Sequence, residues 1–115
     1  MAAAAQISST FDISITLDSA ATHTVTNPGR AFRIVNIRAY NAGGTPTLAV
    51  QDAAGNNIAA SQNTATNAWK NLALTEANCD LTAGENFTVD NDNVSTTKVI
   101  ITCVATGGGQ ALSIT

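Results

Sequence analysis

Two strand-like runs on either side of a turn rich in Asp and Asn constrain this chain most strongly. In the first run, Phe87 and Val89 alternate with polar residues at the two-residue period of a half-buried strand. Asp90-Asn91-Asp92-Asn93 interrupts that pattern with short side chains that hydrogen-bond their own backbone and tolerate left-handed conformations. The apolar run 99–104 then predicts a second, more deeply buried strand. We therefore predict a hairpin centred on residues 90–93, with the rest of the chain packed on it.

Short strands separated by turns are predicted along the whole chain. Turn signals rich in Gly, Pro and Asn, such as Asn27-Pro28-Gly29, separate the strands at intervals of about 8 to 12 residues. Such spacing is typical of a sandwich or barrel. We predict an all-β fold, a jelly-roll-like or related antiparallel β-sandwich of about eight short strands. Besides the two strands above, the predicted strands are 11–17, 22–26, 30–40, 47–51, 58–60, 69–74 and 111–115, and the predicted loops include 61–67, 78–84 and the connector 107–109.

The strand at 30–40 changes parity. Phe32 and Ile34 are in one phase, whereas Val35, Ile37 and Ala39 are in the other. This pattern predicts either a strand that is buried on both faces or a β-bulge between Ile34 and Val35 that re-aims the side chains.

The length and the termini predict one domain with an arm. A chain of 115 residues is long enough to bury a core without staples. We assign residues 1–10 to an Ala-rich N-terminal arm, either disordered or ordered against a neighbouring subunit, and residues 11–115 to a single β-sandwich domain. The apolar run 1–5 is too short for a signal-peptide core, and no run approaches the length of a membrane span. We therefore expect no membrane partner.

Catalytic and metal-binding signals are sparse. His23 lies in a Thr-rich strand without a Cys or carboxylate at ligand spacing, and no hydrolase, phosphate-loop or zinc-protease motif is present. The turn at 90–93 offers oxygen ligands for calcium, but it lacks the Gly and Glu of an EF-hand loop, so an Asx-rich turn is preferred. Cys79 and Cys103 are predicted to be buried, reduced thiols. We predict no enzyme activity, no cofactor and no metal site, although metal binding at the turn stays open.

Charge and exposed side chains suggest a protein partner instead. The net charge of −3 argues against nucleic acid, which is bound through clustered Lys and Arg. Arg30, Arg33 and Arg38 form the main basic concentration; they are either solvated strand residues or a docking surface for an acidic partner. Trp69 and Lys70 could add an aromatic anchor beside a charge.

The segments RAFRIVNIRAYNAGGTPTLAVQDAAGNNIA (30–59) and LTAGENFTV (81–89) resemble small all-β decoration (cement) proteins on tailed-phage capsids, including those of cyanophages. The resemblance covers most of the chain from Phe11 onward and lies in strand lengths, Asn/Thr/Ala/Gly-rich loops and few charges. It implies a non-enzymatic virion protein that binds between major capsid protein subunits and stabilises the shell. It also implies a homotrimer on the capsid surface, assembled in the host cytoplasm, whose arm, with Gln6 and Ile7, contacts a partner. The alternative is a carbohydrate- or receptor-binding β-sandwich module of a phage fibre or tail.

Overall fold

Alternation of apolar and polar residues produces β-strands through most of the chain. The computed structural model describes residues 3–7, 10–44, 46–92, 96–106 and 110–114, of which 3–7 and 110–114 are described by their backbone only. Within these ranges, the strands are accompanied by a single 3₁₀ turn, Glu76–Asn78. In this part of the chain no helix has the length and apolarity needed to cross a membrane. The strands are β1 (Ala3–Ile7), β2 (Thr10–Leu17), β3 (Ala21–Val25), β4 (Phe32–Asn41), β5 (Thr47–Asp52), β6 (Asn57–Asn63), β7 (Trp69–Asn71), β8 (Asp80–Leu81), β9 (Phe87–Asn91), β10 (Thr97–Ala105) and β11 (Gln110–Ile114).

Two antiparallel sheets form the sandwich. The first sheet has the order β2-β10-β4-β7, with β8 also paired to β4, and the second has the order β3-β9-β5-β6. Apart from β8, the strands occur in neighbouring pairs that nest along the chain: β2 with β10, β3 with β9, β4 with β7 and β5 with β6. A long ribbon folded over in this way is a jelly roll. The predicted jelly-roll-like sandwich is confirmed, and the strand order distinguishes it from an immunoglobulin-like sandwich.

The predicted hairpin at residues 90–93 is wrong. β9 pairs with β3 and β5, whereas β10 pairs with β2 and β4, so the two strands lie in different sheets. The strands on the two sides of the predicted turn therefore belong to different layers of the sandwich. Turn chemistry indicates that the chain reverses there, but it does not indicate whether the two strands hydrogen-bond to each other.

Strand boundaries differ from the predictions at three places. β6 continues to Asn63, into the predicted loop 61–67, because its pairing with β5 extends to Thr47. β8 lies inside the predicted loop 78–84, where it pairs with the start of β4. The predicted strand 69–74 ends at Asn71. The predicted connector at 107–109 lies outside the described residues.

Side chains from both sheets meet in one hydrophobic core. Phe87 on β9 is 1% exposed and contacts Phe32 of the opposite sheet edge to face, with ring centroids 6.4 Å apart. Phe32 in turn contacts Phe11 on β2, with centroids 5.4 Å apart. This row of three rings links the two layers, and edge-to-face pairs of this kind add to the stabilisation from burial alone.

The parity change in β4 is resolved by a β-bulge. Cys103 and Thr102 of β10 pair with Ile34 and Asn36, so Val35 is the extra residue. Ile34 and Ile37 are consequently both buried, while Val35 is 46% exposed. The predicted bulge is confirmed, but Val35 does not share the inward phase of Ile37. One consequence is that Arg33 and Arg38 alternate with buried residues on both sides of the bulge.

The turn after β3 is held by a buried asparagine. Asn27 Oδ1 accepts hydrogen bonds from the backbone N–H groups of Gly29 (3.1 Å) and Arg30 (2.8 Å), and Asn27 Nδ2 donates to the Arg30 carbonyl oxygen. Gly29 has a φ of 116°, which a residue with a Cβ rarely adopts. The predicted turn at 27–29 is thus confirmed, with Asn27 as its organising side chain.

The chain ends form a separate two-stranded ribbon. β1 pairs antiparallel with β11 over five residues, and neither strand belongs to either sheet of the sandwich. The molecule extends 57 × 27 × 21 Å, and its radius of gyration of 16.0 Å exceeds the value of about 13 Å for a compact domain of similar length. The predicted terminal strand is thus present, at Gln110–Ile114, and the Ala-rich arm has a strand partner in the same chain.

Candidate functional site

The outer face of the first sheet brings aromatic and basic side chains together. On β4, Arg38 and Tyr40 alternate with the buried residues Ala39 and Asn41, so they lie on the solvent side. Strand pairing places Trp69 of β7 opposite Tyr40. On the other side of β4, Lys98 lies opposite Tyr40 and Ile100 lies opposite Arg38, both from β10. We name this group the Trp69 surface: Arg38, Tyr40, Trp69, Lys98 and Ile100.

Ring contacts fix the geometry of the Trp69 surface. The Tyr40 and Trp69 ring centroids are 5.6 Å apart at an interplanar angle of 46°, and the Arg38 guanidinium carbon lies 5.7 Å from the Trp69 ring centroid. Arg38, Trp69 and Ile100 line an open groove of about 370 Å³. Trp69 is nevertheless 47% exposed. Trp, Tyr and Arg are the residue types that most often dominate the binding energy of protein–protein interfaces, and all three are in contact here.

The three arginines predicted as a basic concentration do not lie together. Arg30 lies near the end of the β3–β4 turn, two residues before β4, with its guanidinium 5.0 Å from the Phe11 ring centroid. Arg33 donates to the Asp80 carboxylate at 2.9 Å, and this hydrogen bond and charge raise the pKa of Arg33. In the pairing of β8 with β4, Asp80 lies directly opposite Arg33 and Leu81 lies opposite Phe32. The carboxylate of Asp80 therefore offsets the positive charge of Arg33. Arg38 belongs to the Trp69 surface, and its guanidinium forms no salt bridge with any described residue.

Lys70 and the arm residues occupy other positions. Lys70 pairs with the inward residue Ala39, and its ammonium group donates to the Asn63 carbonyl oxygen at 2.7 Å, next to the second sheet. Its charge therefore lies beside the Trp69 surface and not on it. Gln6 and Ile7 lie on β1, paired with Ala111 and Gln110. Their role as partner contacts stays a prediction.

Sequence reasoning missed three members of the Trp69 surface, Tyr40, Lys98 and Ile100. Lys98 is the charged residue among them. Its position in β10 alternates with the buried residues Thr97 and Val99, which indicates an outward side chain. The alternation predicts which face of the sheet Lys98 lies on, but it does not predict which residue lies beside it, because β4 and β10 are about sixty residues apart in sequence. Only the strand order reveals that Lys98 joins Tyr40.

The acidic turn uses its carboxylates within the fold. Asp92 accepts hydrogen bonds from the backbone N–H (2.7 Å) and hydroxyl (2.8 Å) of Thr47, and Asp90 accepts one from the Thr22 hydroxyl (3.3 Å). Asn93 lies outside the described residues. Within the described ranges, no three His, Cys, Asp or Glu side chains are grouped to hold a metal ion.

The single histidine lies away from the Trp69 surface. His23 is on β3 in the second sheet, half-buried, with Nε2 3.2 Å from the Ser19 carbonyl oxygen. This contact is local, since Ser19 lies in the turn just before β3. His23 therefore has a structural role, in which it contacts the β2–β3 turn.

Both thiols are free and buried. Burial raises the pKa of Cys79, against a smaller lowering by Arg33, and burial also raises the pKa of Cys103 to about 12. The pKa of Cys103 is higher in the folded protein than in the unfolded chain, where it is about 9. The contribution of this thiol to stability is therefore present below about pH 9 and is lost as the pH rises toward 12.

We expect thiol reagents to leave the native protein unmodified. At pH 8 a thiol with a pKa of about 12 carries roughly a thousandfold less thiolate than one with a pKa near 9. Absorbance titration with a disulfide reagent should find no rapidly reacting thiol in buffer and two in urea. Cys103→Ala should reduce the urea value to one, and rapid labelling of two thiols in buffer would contradict the burial of both.

With the fold and the surface described, the chain belongs to the class of jelly-roll domains with an exposed aromatic and basic surface. It matches no protein-family model, and a search of curated proteins returns no match. Among solved structures, it is similar to a chain in the acidic stable capsid structure of Helicobacter pylori bacteriophage KHP30. The TM-score is 0.57 at 12% sequence identity, with 100% of this chain and 99% of that chain covered.

A second similar chain occurs in the cyanophage Pam1 capsid asymmetric unit, with a TM-score of 0.48, 14% identity, and 87% and 86% of the two chains covered. The first of these two similarities extends over the whole length of both chains. The predicted resemblance is confirmed at the level of the fold by the first similarity, because this chain shares its fold with a chain of a phage capsid structure.

Proposed function

We propose that this protein is a non-enzymatic structural component of a phage virion, which decorates the capsid and stabilises it by binding between major capsid protein subunits. The observation that carries the proposal is the end-to-end similarity of fold to a chain of a phage capsid structure. A decoration protein requires a rigid domain and an exposed contact surface, and it needs no reacting groups. The jelly roll provides the first and the Trp69 surface the second.

The Trp69 surface is the proposed shell contact. Trp69 supplies a large, restrained apolar side chain, and Arg38 and Lys98 supply two cations that form no salt bridge with any described residue. Such charges steer association and fix orientation, while the aromatic anchor supplies affinity. The partner surface is therefore expected to be acidic and to contain a recess for an indole ring.

The proposed assembly is a homotrimer on the capsid surface, formed in the host cytoplasm. Three weak contacts with the shell, held in one trimer, bind far more tightly than one, because the second and third contacts form at high effective concentration. A Trp69 surface that binds the shell only weakly in each subunit can therefore still hold the trimer stably on the capsid.

A carbohydrate- or receptor-binding module of a fibre or tail is the second candidate. It is favoured by the exposed ring of Trp69 and the half-buried ring of Tyr40 beside it, since aromatic side chains on a sheet face can stack on sugars. Against it, Arg38 already lies near the Trp69 ring.

Sedimentation with empty capsids distinguishes the two candidates. The purified protein should pellet with shells to saturation, and its Trp69 fluorescence should be unchanged by a panel of glycans. Saturable quenching by a glycan, without sedimentation, would replace the first proposal by the second. Albumin mixed with the same shells controls for trapping in the pellet.

A further inference from the structure

The free edge of β2 is the longest unprotected edge of the sandwich. β2 pairs with β10 along all eight residues without a register shift, and no described residue pairs with its other side. Other edges are short, as in β7 with three residues, or irregular, as in β6 with two register shifts. Natural proteins usually protect a long edge with Pro, Lys or a bulge. β2 contains none of these, and its one charged residue is Asp12.

The inner side of the same edge is incompletely covered. Phe11, Ile13 and Ile15 face the core but are only half-buried, unlike the fully buried residues of β10 beside them. Phe11 and Ile13 line a mostly apolar cleft of about 220 Å³ that opens between β2 and β3. Because an apolar cavity of about 150 Å³ can bind benzene, this cleft is large enough for a large apolar side chain.

The ribbon of β1 and β11 lacks a third strand. It has only two strands, and two strands alone are marginally stable in water, whereas a third strand provides independent stability. Its segments, AAAQI and QALSI, contain no charge. An uncharged strand can lie along β2 without bringing a like charge to Asp12 or burying an unpaired one. By contrast, pairing of two β2 edges would join two strands that each carry Asp12 and no cation.

We infer that the β1–β11 ribbon of one copy adds to the β2 edge of a second copy, extending its first sheet and covering the apolar cleft. The contact is heterologous, since ribbon and edge are different surfaces, and repetition of it closes a ring when the rotation allows. This inference deepens the proposed function by naming the contact that would build the proposed trimer.

Disulfide trapping between separately prepared variants tests this contact. One protein carries Ala4→Cys or Ala5→Cys in β1, two successive positions that sample both faces of the strand. The other carries Ser14→Cys, an exposed residue of β2. Cys79 and Cys103 are buried and should contribute little background. The mixed dimer and the two homodimers have nearly the same size on a non-reducing gel, so intact mass spectrometry of the products identifies the mixed dimer.

The matched control is Thr24→Cys, an exposed residue on β3, the edge strand of the second sheet. We expect at least one arm variant to form mixed dimers with Ser14→Cys about tenfold or more faster than with Thr24→Cys, because docking raises the effective thiol concentration. Equal rates at both positions would overturn the inference. Capsid sedimentation of the wild-type protein is scored separately, so a failed contact between copies is distinguishable from a failed shell function.

Discussion

Replacing Phe87 with alanine is expected to lower the free energy of unfolding by about 3 to 5 kcal/mol. Phe87 is 1% exposed and lies where β9 of the second sheet meets Phe32 of the first. Truncation removes the buried ring and leaves a cavity that the surrounding strands cannot fill without moving apart. Because domains of this size are stable by roughly 5 to 15 kcal/mol, the variant would lose a large fraction of its stability.

Urea unfolding followed by Trp69 fluorescence would measure this loss as a lower transition midpoint. The control is Thr88→Ala, whose half-buried side chain lies next along β9 on the opposite face. We expect that change to shift the free energy of unfolding by about 0.5 kcal/mol or less. A loss below about 1 kcal/mol for Phe87→Ala would mean that the two sheets do not pack together at this ring.

The second large effect is expected on shell binding. Trp69→Ala should weaken sedimentation with empty capsids by roughly 30-fold, which corresponds to about 2 kcal/mol for a central anchor residue. Arg38→Glu should weaken it further at low salt, because it removes the cation beside the indole ring and places a carboxylate before an acidic partner. Neither change should alter the unfolding midpoint appreciably when unfolding is followed by circular dichroism, since both side chains are exposed.

Val35→Ala provides the matched control for Trp69→Ala. Val35 is 46% exposed, nearly the same as the 47% of Trp69, and it also lies in the first sheet, at the bulge of β4. Its loss removes exposed apolar surface without touching the ring contacts. Retention of full binding by Trp69→Ala, or equal weakening by Val35→Ala, would contradict the assignment of the contact to the Trp69 surface.

The candidate site was only partly accessible from the sequence. Trp69 and Arg38 were predicted as contact residues and do lie side by side, although their partner role is still a prediction. Arg33, predicted in the same group, is paired with Asp80 because β8 lies against the start of β4. Neither that pairing nor the position of Lys98 beside Tyr40 can be predicted from the neighbouring residues in the sequence.

Features that depend on neighbouring residues could be predicted from the amino-acid pattern. Alternation predicted the strands, Asn27-Pro28-Gly29 predicted a turn, and the parity change in β4 predicted a bulge. Strand pairing, in contrast, could be seen only in the three-dimensional structure. β9 and β10 are consecutive yet lie in different sheets, while β2 and β10 pair although they are about eighty residues apart. The physical reason is that backbone hydrogen bonds are alike for every strand. The choice of partner therefore rests on how all the apolar faces are buried together.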